Sequence, residues 1–232
     1  MSARSTQNRV RTHRRWASSP RTASVEDEAR LSQAIRSVQP GFRAAVVADA
    51  EITARYRGEH HEFRSRLDAA AQVVRLAWVT EAFFAQLCYR AKVACRARRI
   101  PVLPTALHHL SVITGQLTIG DRAVLGAGVY LPHGQVVIDG VTLVEAGVVI
   151  RPFVTLGLID GHPVGPHIGA RTRIGTGAKV FGPVRVGSDV QIGANAVVNA
   201  DVPDGATVVG APARPVRRRV DAPGQAGRIR RR

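Results

Sequence analysis

The stretch YLPHGQVVIDG, Tyr130 to Gly140, sets a histidine directly after a proline, among aliphatic and small residues suited to regular packing. Packing accounts for the leucine and the valines but not for His133, whose imidazole is the side chain that changes protonation closest to neutral pH. Two more histidines, His162 and His167, follow in GLIDGHPVGPH, and with His133 they supply the count for a zinc site if three can converge. Both stand beside prolines in an irregular insertion that does not fix ligand geometry, so no metal is expected. Cys88 and Cys95, the only cysteines, sit seven positions apart in a helical segment. That is roughly 10 Å by the helical rise, too far for a bridge, and reduced thiols in a cytoplasmic protein follow. Asp121 and Asp139, eighteen apart, and Glu145 read as solvated turn carboxylates, and His108 with His109 as part of helix packing.

Two kinds of sequence must position these residues. From Ser24 to about Leu110 the pattern is helical. Ser24 with Asp27 resembles a capping box opening VEDEARLSQAIRSV, which Pro40-Gly41 ends. A second helix runs through FRAAVVADAEITARY. A third, from about Glu62, sets Val73, Leu76, Val79, Phe83 and Leu87 three or four apart, an apolar stripe that must pack on something. RRIPVLP interrupts it, and TALHHLSVI makes a further short turn or helix. The most apolar run, AAAQVVRLAWVTEAFFAQLC, contains Arg75 and Glu81 and reads as a packed helix, with no membrane span.

After Gly115 the period becomes six. Aliphatic leaders stand at Ile119, Leu125, Leu131, Val137, Leu143, Val149, Ile168, Ile174, Val180, Val186, Ile192 and Val198, interrupted once between Thr155 and His167. Glycine often follows the leader, and a small or β-branched residue often sits four after it. This is the hexapeptide signature of a parallel β-helix, in which three repeats make one triangular coil and the leaders stack inside. Such coils generally wind left-handed. The expected fold is therefore α+β: a helical cap at 25–114, a left-handed parallel β-helix at 115–213, and basic tails at 1–24 and 214–232. A prism of this kind associates by rotational symmetry, and a homotrimer or dimer of trimers is expected.

The formal charge of +16 belongs to the tails. Residues 1–24 carry six Arg and no acid, and residues 214–232 carry eight Arg and one Asp, whereas 25–213 is nearly neutral. Both tails are rich in Arg, Ser, Pro and Gly, a composition that cannot repay ordering, so they read as disordered. Nucleic acid or an anionic surface is a conceivable partner for them, and solvated, non-specific tails are the simpler reading. The N-terminus has no apolar run of the signal-peptide kind.

With eighteen residues per coil, His133 lies two past Leu131 and points outward near a corner. If all seven extra residues of the interruption loop out, Arg151, Thr176 and Ala194 continue the column above it. At the strand spacing, Thr176 stands roughly 10 Å and Ala194 roughly 14 Å from the level of His133, room for an extended cofactor whose reactive end reaches the histidine.

The repeat region also resembles the hexapeptide acyltransferases, most closely the serine O-acetyltransferase group. LPHGQVVIDG, the VTLG before the loop, IGTGAKVFGPVRVGSDVQIGANAVV and DVPDGATVVGAPAR carry the resemblance, with AQLCYR loosely similar to the last long cap helix. It implies an acetyl-CoA-dependent O-acetyltransferase. His133 matches the catalytic histidine, the general base that takes the proton of an acceptor hydroxyl while its oxygen attacks the thioester. Gly157, Thr176 and Ala194 match positions lining the CoA site. Asp68 lies near a carboxylate used for substrate, and His162 falls in the loop that engages the amino acid. The pattern departs at three places. Pro132 replaces an Asp immediately before the histidine, Thr118 replaces an Asp fifteen residues upstream, and the loop lacks an Arg adjacent to its histidine. Chemistry at His133 survives these changes. L-serine is the expected acceptor, and a sugar, polysaccharide or natural-product hydroxyl stays open beside it. A gamma-type carbonic anhydrase on the same prism and a non-catalytic scaffold that binds nucleic acid through its tails are the more distant readings.

Overall fold

A computed structural model of the chain describes residues 25–216. Within them five helices precede fourteen short strands: α1 Val25–Arg36, α2 Phe42–Tyr56, α3 Arg66–Val79, α4 Glu81–Ala97 and α5 Leu103–Gly115, then β1 Leu117–Ile119 through β14 Arg214–Pro215. The architecture is a helical cap on a left-handed parallel β-helix. No helix among the described residues is long and apolar enough to cross a membrane. The Ser24 cap and most of both basic tails lie outside the described residues. Arg214–Pro215, expected in the tail, instead pairs antiparallel with β13 Thr207–Val209, and the amide of Val216 bonds to Thr207, so paired backbone runs past 213.

The single long helix expected from Glu62 is two helices, broken at Thr80, whose φ of −140° and ψ of 106° are extended. α3 starts at Ser65, whose hydroxyl accepts the amide of Asp68 at 3.1 Å, a side-chain N-cap. The break at Thr80 turns the stripe: Val79 is exposed, while Leu76 and Phe83 meet Ala50 of α2 in a small separate core. α5 has a proline in its first turn and ends at Gly115, with Gln116 left-handed at φ 49°.

Three parallel sheets form the faces of the prism. β1, β3 Val136–Ile138, β6 Thr155–Gly157, β9 Lys179–Phe181 and β12 Val197–Val198 make the first, β2 Val124–Leu125, β4 Val141–Val144, β7 Val164–Ile168 and β10 Arg185–Val186 the second, and β5 Val149–Ile150, β8 Arg173–Ile174, β11 Gln191–Ile192 and β13 the third, which β14 closes. In the later coils Val180 pairs with Val198, Ile174 with Ile192 and Ile168 with Val186, all eighteen apart. The first step differs. Ile119 pairs with Ile138 and Leu125 with Val144, nineteen apart. The inward leaders of the second coil are thus Ile138, Val144 and Ile150, not Val137, Leu143 and Val149, and Leu156 opens the third; Ile138 is 0 % exposed and Val137 39 %. One of the seven extra residues therefore sits in the His133 turn, where Gln135 adopts φ 61°. The loop keeps the other six, between Leu156 and Ile168, and across it Leu156 pairs with Val180, twenty-four positions on.

β1 and β2 are the edges of their sheets, and carbonyls of the first coil point at the cap. An open edge of this kind invites aggregation unless covered. Here side chains cover it. From α4, Gln86 donates to the carbonyl of Val129, Tyr89 to Ala123, Lys92 to Ile119, and Arg90 to both Leu125 and Gly126. Ser111 of α5 donates to Leu117. Asp49 of α2 accepts the amides of Gly128 and Val129 and two bonds from the Arg90 guanidinium. Burial pushes the Asp49 carboxyl up, against the pull of Arg90, and lifts the Tyr89 phenol to about 12. Asp121 is an exposed turn acid, as read from the sequence, and also pairs with Lys92 at 3.3 Å and Arg96 at 2.6 Å.

Candidate active site

The backbone clamp at Leu125–Val129 ends one residue before Tyr130, whose ring stacks on Tyr56 of α2 with centroids 4.4 Å apart and planes 12° from parallel. Burial pushes the Tyr130 phenol up. The turn that follows lies against the ends of α4 and α5. A Cβ on Gly134 would stand 1.5 Å from the carbonyl oxygen of Gly115, and one on Gly115 would meet Ala85 Cβ at 2.6 Å and the Glu81 carbonyl oxygen at 3.1 Å. Only glycines permit that stack of three backbones. The amides of Gln135 and Val136 then bond to Gly115 and Gln116, and the amide of Phe153 to Gln135.

This support turns His133 outward, with its side chain 68 % exposed and its Nδ1 3.7 Å from Oε1 of Glu81, the first residue of α4. Sequence reading placed Glu81 only as a charge that excludes a membrane span. Nothing in its local pattern marks it, because its nearness to His133 depends on the Thr80 break and the added turn residue together.

The slip alters the column expected above the histidine. Because the His133 turn holds one residue more than the turn above it, Arg151 and Pro152 together stand over Pro132–Gly134, between the bonds of Ile150 to Tyr130 and of Phe153 to Gln135. Gly177 bonds to the carbonyl of Pro152 and Asn195 to that of Thr176, so Pro152, Thr176 and Ala194 stack at one corner. Thr176 and Ala194 are exposed. Gly157 lies on the adjacent face, buried beneath Phe181, whose ring a Cβ there would meet at 3.0 Å.

The remaining histidines separate. His162 is half-buried in the loop, its amide bonded to Ile159 at 2.9 Å and its Nδ1 without a hydrogen-bond partner. His167 is not in the irregular segment but on β7 Val164–Ile168, buried, with Nε2 2.9 Å from Oε1 of Glu145. The pair borders a cavity on the second face, lined also by Val38, Pro40 and Leu143. His167 is therefore committed to the prism, Glu145 is no solvated turn acid, and no group of three His, Cys, Asp or Glu among the described residues is arranged to hold a metal. Asp68 accepts the amide of Arg64 at 2.9 Å and borders a shallow depression with His60 and Arg64. Its hydrogen bonds serve the start of its own helix.

A family model described as the hexapeptide repeat of succinyl-transferase matches residues 116–133, 167–200 and 183–208. A serine acetyltransferase of Helicobacter pylori is 42 % identical over 136 residues, which cover 57 % of this chain and 79 % of the relative. One from Synechococcus elongatus is 38 % identical over 140 residues, 59 % of this chain and 57 % of the relative. Among solved structures, soybean serine acetyltransferase complexed with serine superposes with a TM-score of 0.63 at 29 % identity, covering 78 % of this chain and 71 % of that one. A serine acetyltransferase complex with CoA gives 0.61 at 26 % identity, covering 85 % and 78 %.

Proposed function

The chain belongs to the serine acetyltransferase family, and on that premise we propose that it moves an acetyl group from acetyl-CoA to the hydroxyl of L-serine with His133 as general base. The observation that carries the assignment to His133 is its position. It is the titratable side chain of its turn, it faces out, and three backbone layers and a clamped strand hold the turn beneath it.

In the reaction the neutral imidazole takes the proton of the serine hydroxyl as its oxygen bonds to the thioester carbonyl carbon. The tetrahedral intermediate collapses with loss of the C–S bond. The thiolate of CoA leaves and takes the proton back from the imidazolium, giving O-acetylserine and CoA with the base regenerated. Thr176 and Ala194 lie along the co-substrate, since both are exposed in one stack at the histidine's corner, and Gly157 is assigned to the same site by resemblance alone, being buried beneath Phe181 on the adjacent face. His162 stays with the acceptor as part of this proposal. Asp68 is assigned to the acceptor by resemblance alone, because its observed bonds are those of a helix start. The working form is a homotrimer, single or paired. Val137 and Phe153, apolar, exposed and flanking the His133 corner, support a subunit contact there.

Release of free thiol from acetyl-CoA in the presence of L-serine tests the reading. His133→Ala is expected to lower turnover by roughly 10²- to 10⁴-fold without changing the oligomer. Unaltered turnover removes the histidine from the chemistry. A panel of homoserine and sugars beside L-serine tests the acceptor, and a sugar preferred over serine overturns that part.

A further inference from the structure

We propose that Glu81 is the positioning residue of His133: its carboxylate accepts the Nδ1–H of the neutral imidazole and leaves the Nε2 lone pair to the acceptor hydroxyl. The inference rests on the reading of His133 as the base. Its observational ground is the pairing itself, Nδ1 to Oε1 at 3.7 Å between two side chains that are 68 % and 58 % exposed.

Three features make the pairing a built one. The break at Thr80 starts α4 at Glu81, so the carboxylate projects from the first helical turn, beside the His133 turn. The turn carrying His133 is seated on Gly115, and Gly115 is seated on the backbone of Glu81 itself, through contacts that leave no room for a methyl group. The turn is one residue longer than those above it, which gives the chain room to carry the histidine outward and still rejoin the inward register at Ile138. Backbone contact thus fixes the two residues relative to one another, although they are far apart in sequence.

At 3.7 Å the contact is longer than a hydrogen bond. Both side chains are exposed and free to rotate, and catalytic hydrogen bonds commonly tighten only when substrate is bound. The need for such a group is chemical. A neutral imidazole has two tautomers, and only the one protonated at Nδ1 offers Nε2 as a base; a partner at Nδ1 selects it.

The test uses the full-length protein. Glu81→Gln keeps the shape, but its carboxamide can donate an N–H to Nδ1 and so hold the wrong tautomer. The expected result is a kcat for L-serine and acetyl-CoA lower by roughly 10- to 100-fold, a share of what a general base supplies, with both KM values within about twofold. Nitrogen-15 spectra of the His133 ring, recorded at a pH where imidazole is neutral, are expected to show loss of the Nδ1–H tautomer. Glu81→Asp is expected to recover part of both. An unchanged kcat, or an unchanged tautomer, overturns the proposal. So does a rise in the KM for serine at constant kcat, which makes Glu81 a substrate-binding group. The spectra of the free protein judge the pairing even if His133→Ala stays active, so failure of the base assignment and failure of this inference are told apart.

Discussion

Asp49→Ala is expected to destabilise the protein far more than an ordinary buried substitution, and pairing it with Arg90→Met is expected to restore part of the loss. The side chains of Asp49 and Arg90 are 2 % and 1 % exposed. Asp49 accepts two bonds from the guanidinium and one each from the amides of Gly128 and Val129, and Arg90 gives two more to Leu125 and Gly126. Removing the carboxylate strands a buried cation, which costs about 3–5 kcal/mol. It also leaves two amides without an acceptor at about 1–3 kcal/mol each, a penalty that relaxation of the first coil partly relieves. A total of about 4–8 kcal/mol is a large share of the 5–15 kcal/mol typical of a domain. For a chain of this size it lowers the melting temperature by roughly 10–25 °C. Arg90→Met in the Asp49→Ala background removes the stranded charge and fills its volume, so the double variant is expected to be more stable than the single one. Urea unfolding followed by circular dichroism, at one protein concentration because association shifts the midpoint, reads all three. A loss under about 1 kcal/mol for Asp49→Ala, or a double variant weaker than the single, refutes the view that the pair is a charge-matched clamp on the first coil.

The one-residue slip separates neighbours: Ile138→Thr is expected to cost about 2–4 kcal/mol and Val137→Thr less than about 0.5 kcal/mol, measured by urea unfolding, whereas an eighteen-residue first coil reverses the order. Burial holds the Lys92 ammonium below the ordinary value of 10.5, against the pull of Asp121. The unfolded chain therefore binds more protons than the folded one just below that value, and stability rises with pH through the window. Compared with Lys92→Met across the same alkaline range, wild type is expected to gain stability, and a falling difference contradicts the burial argument. Ala194→Phe is expected to raise the KM for acetyl-CoA by roughly tenfold while leaving kcat within about threefold, since it fills the exposed corner without touching His133. Steady-state kinetics decide it, and an unchanged KM removes the corner from the co-substrate's path.

The repeat was legible because its leaders need only be aliphatic and regularly spaced, and most of them point inward as read. The slip was not legible, because both candidate phases are apolar. Val137 and Ile138, Leu143 and Val144, and Val149 and Ile150 are adjacent pairs, and the outward member is apolar for reasons a period cannot reveal. Leu143, for instance, packs beneath Leu31 and Ile35 of α1 in a second core. A hydrophobic pattern reports burial, and a β-helix face covered by a cap helix is buried on both sides. The same limit hid the cap residues. Gln86, Arg90 and Lys92 look like the polar face of a helix, yet all three are buried, because the surface they meet is a row of carbonyls and not a set of side chains. The histidine was legible for the opposite reason. A regular repeat explains most of its residues, so the one it leaves unexplained stands out, and the fold then supplied what spacing could not: the extra turn residue, the glycines beneath it and the carboxylate at its side. Where a β-helix departs from its period, the departure itself is the place to look for chemistry, since packing alone gives the chain no reason to leave register.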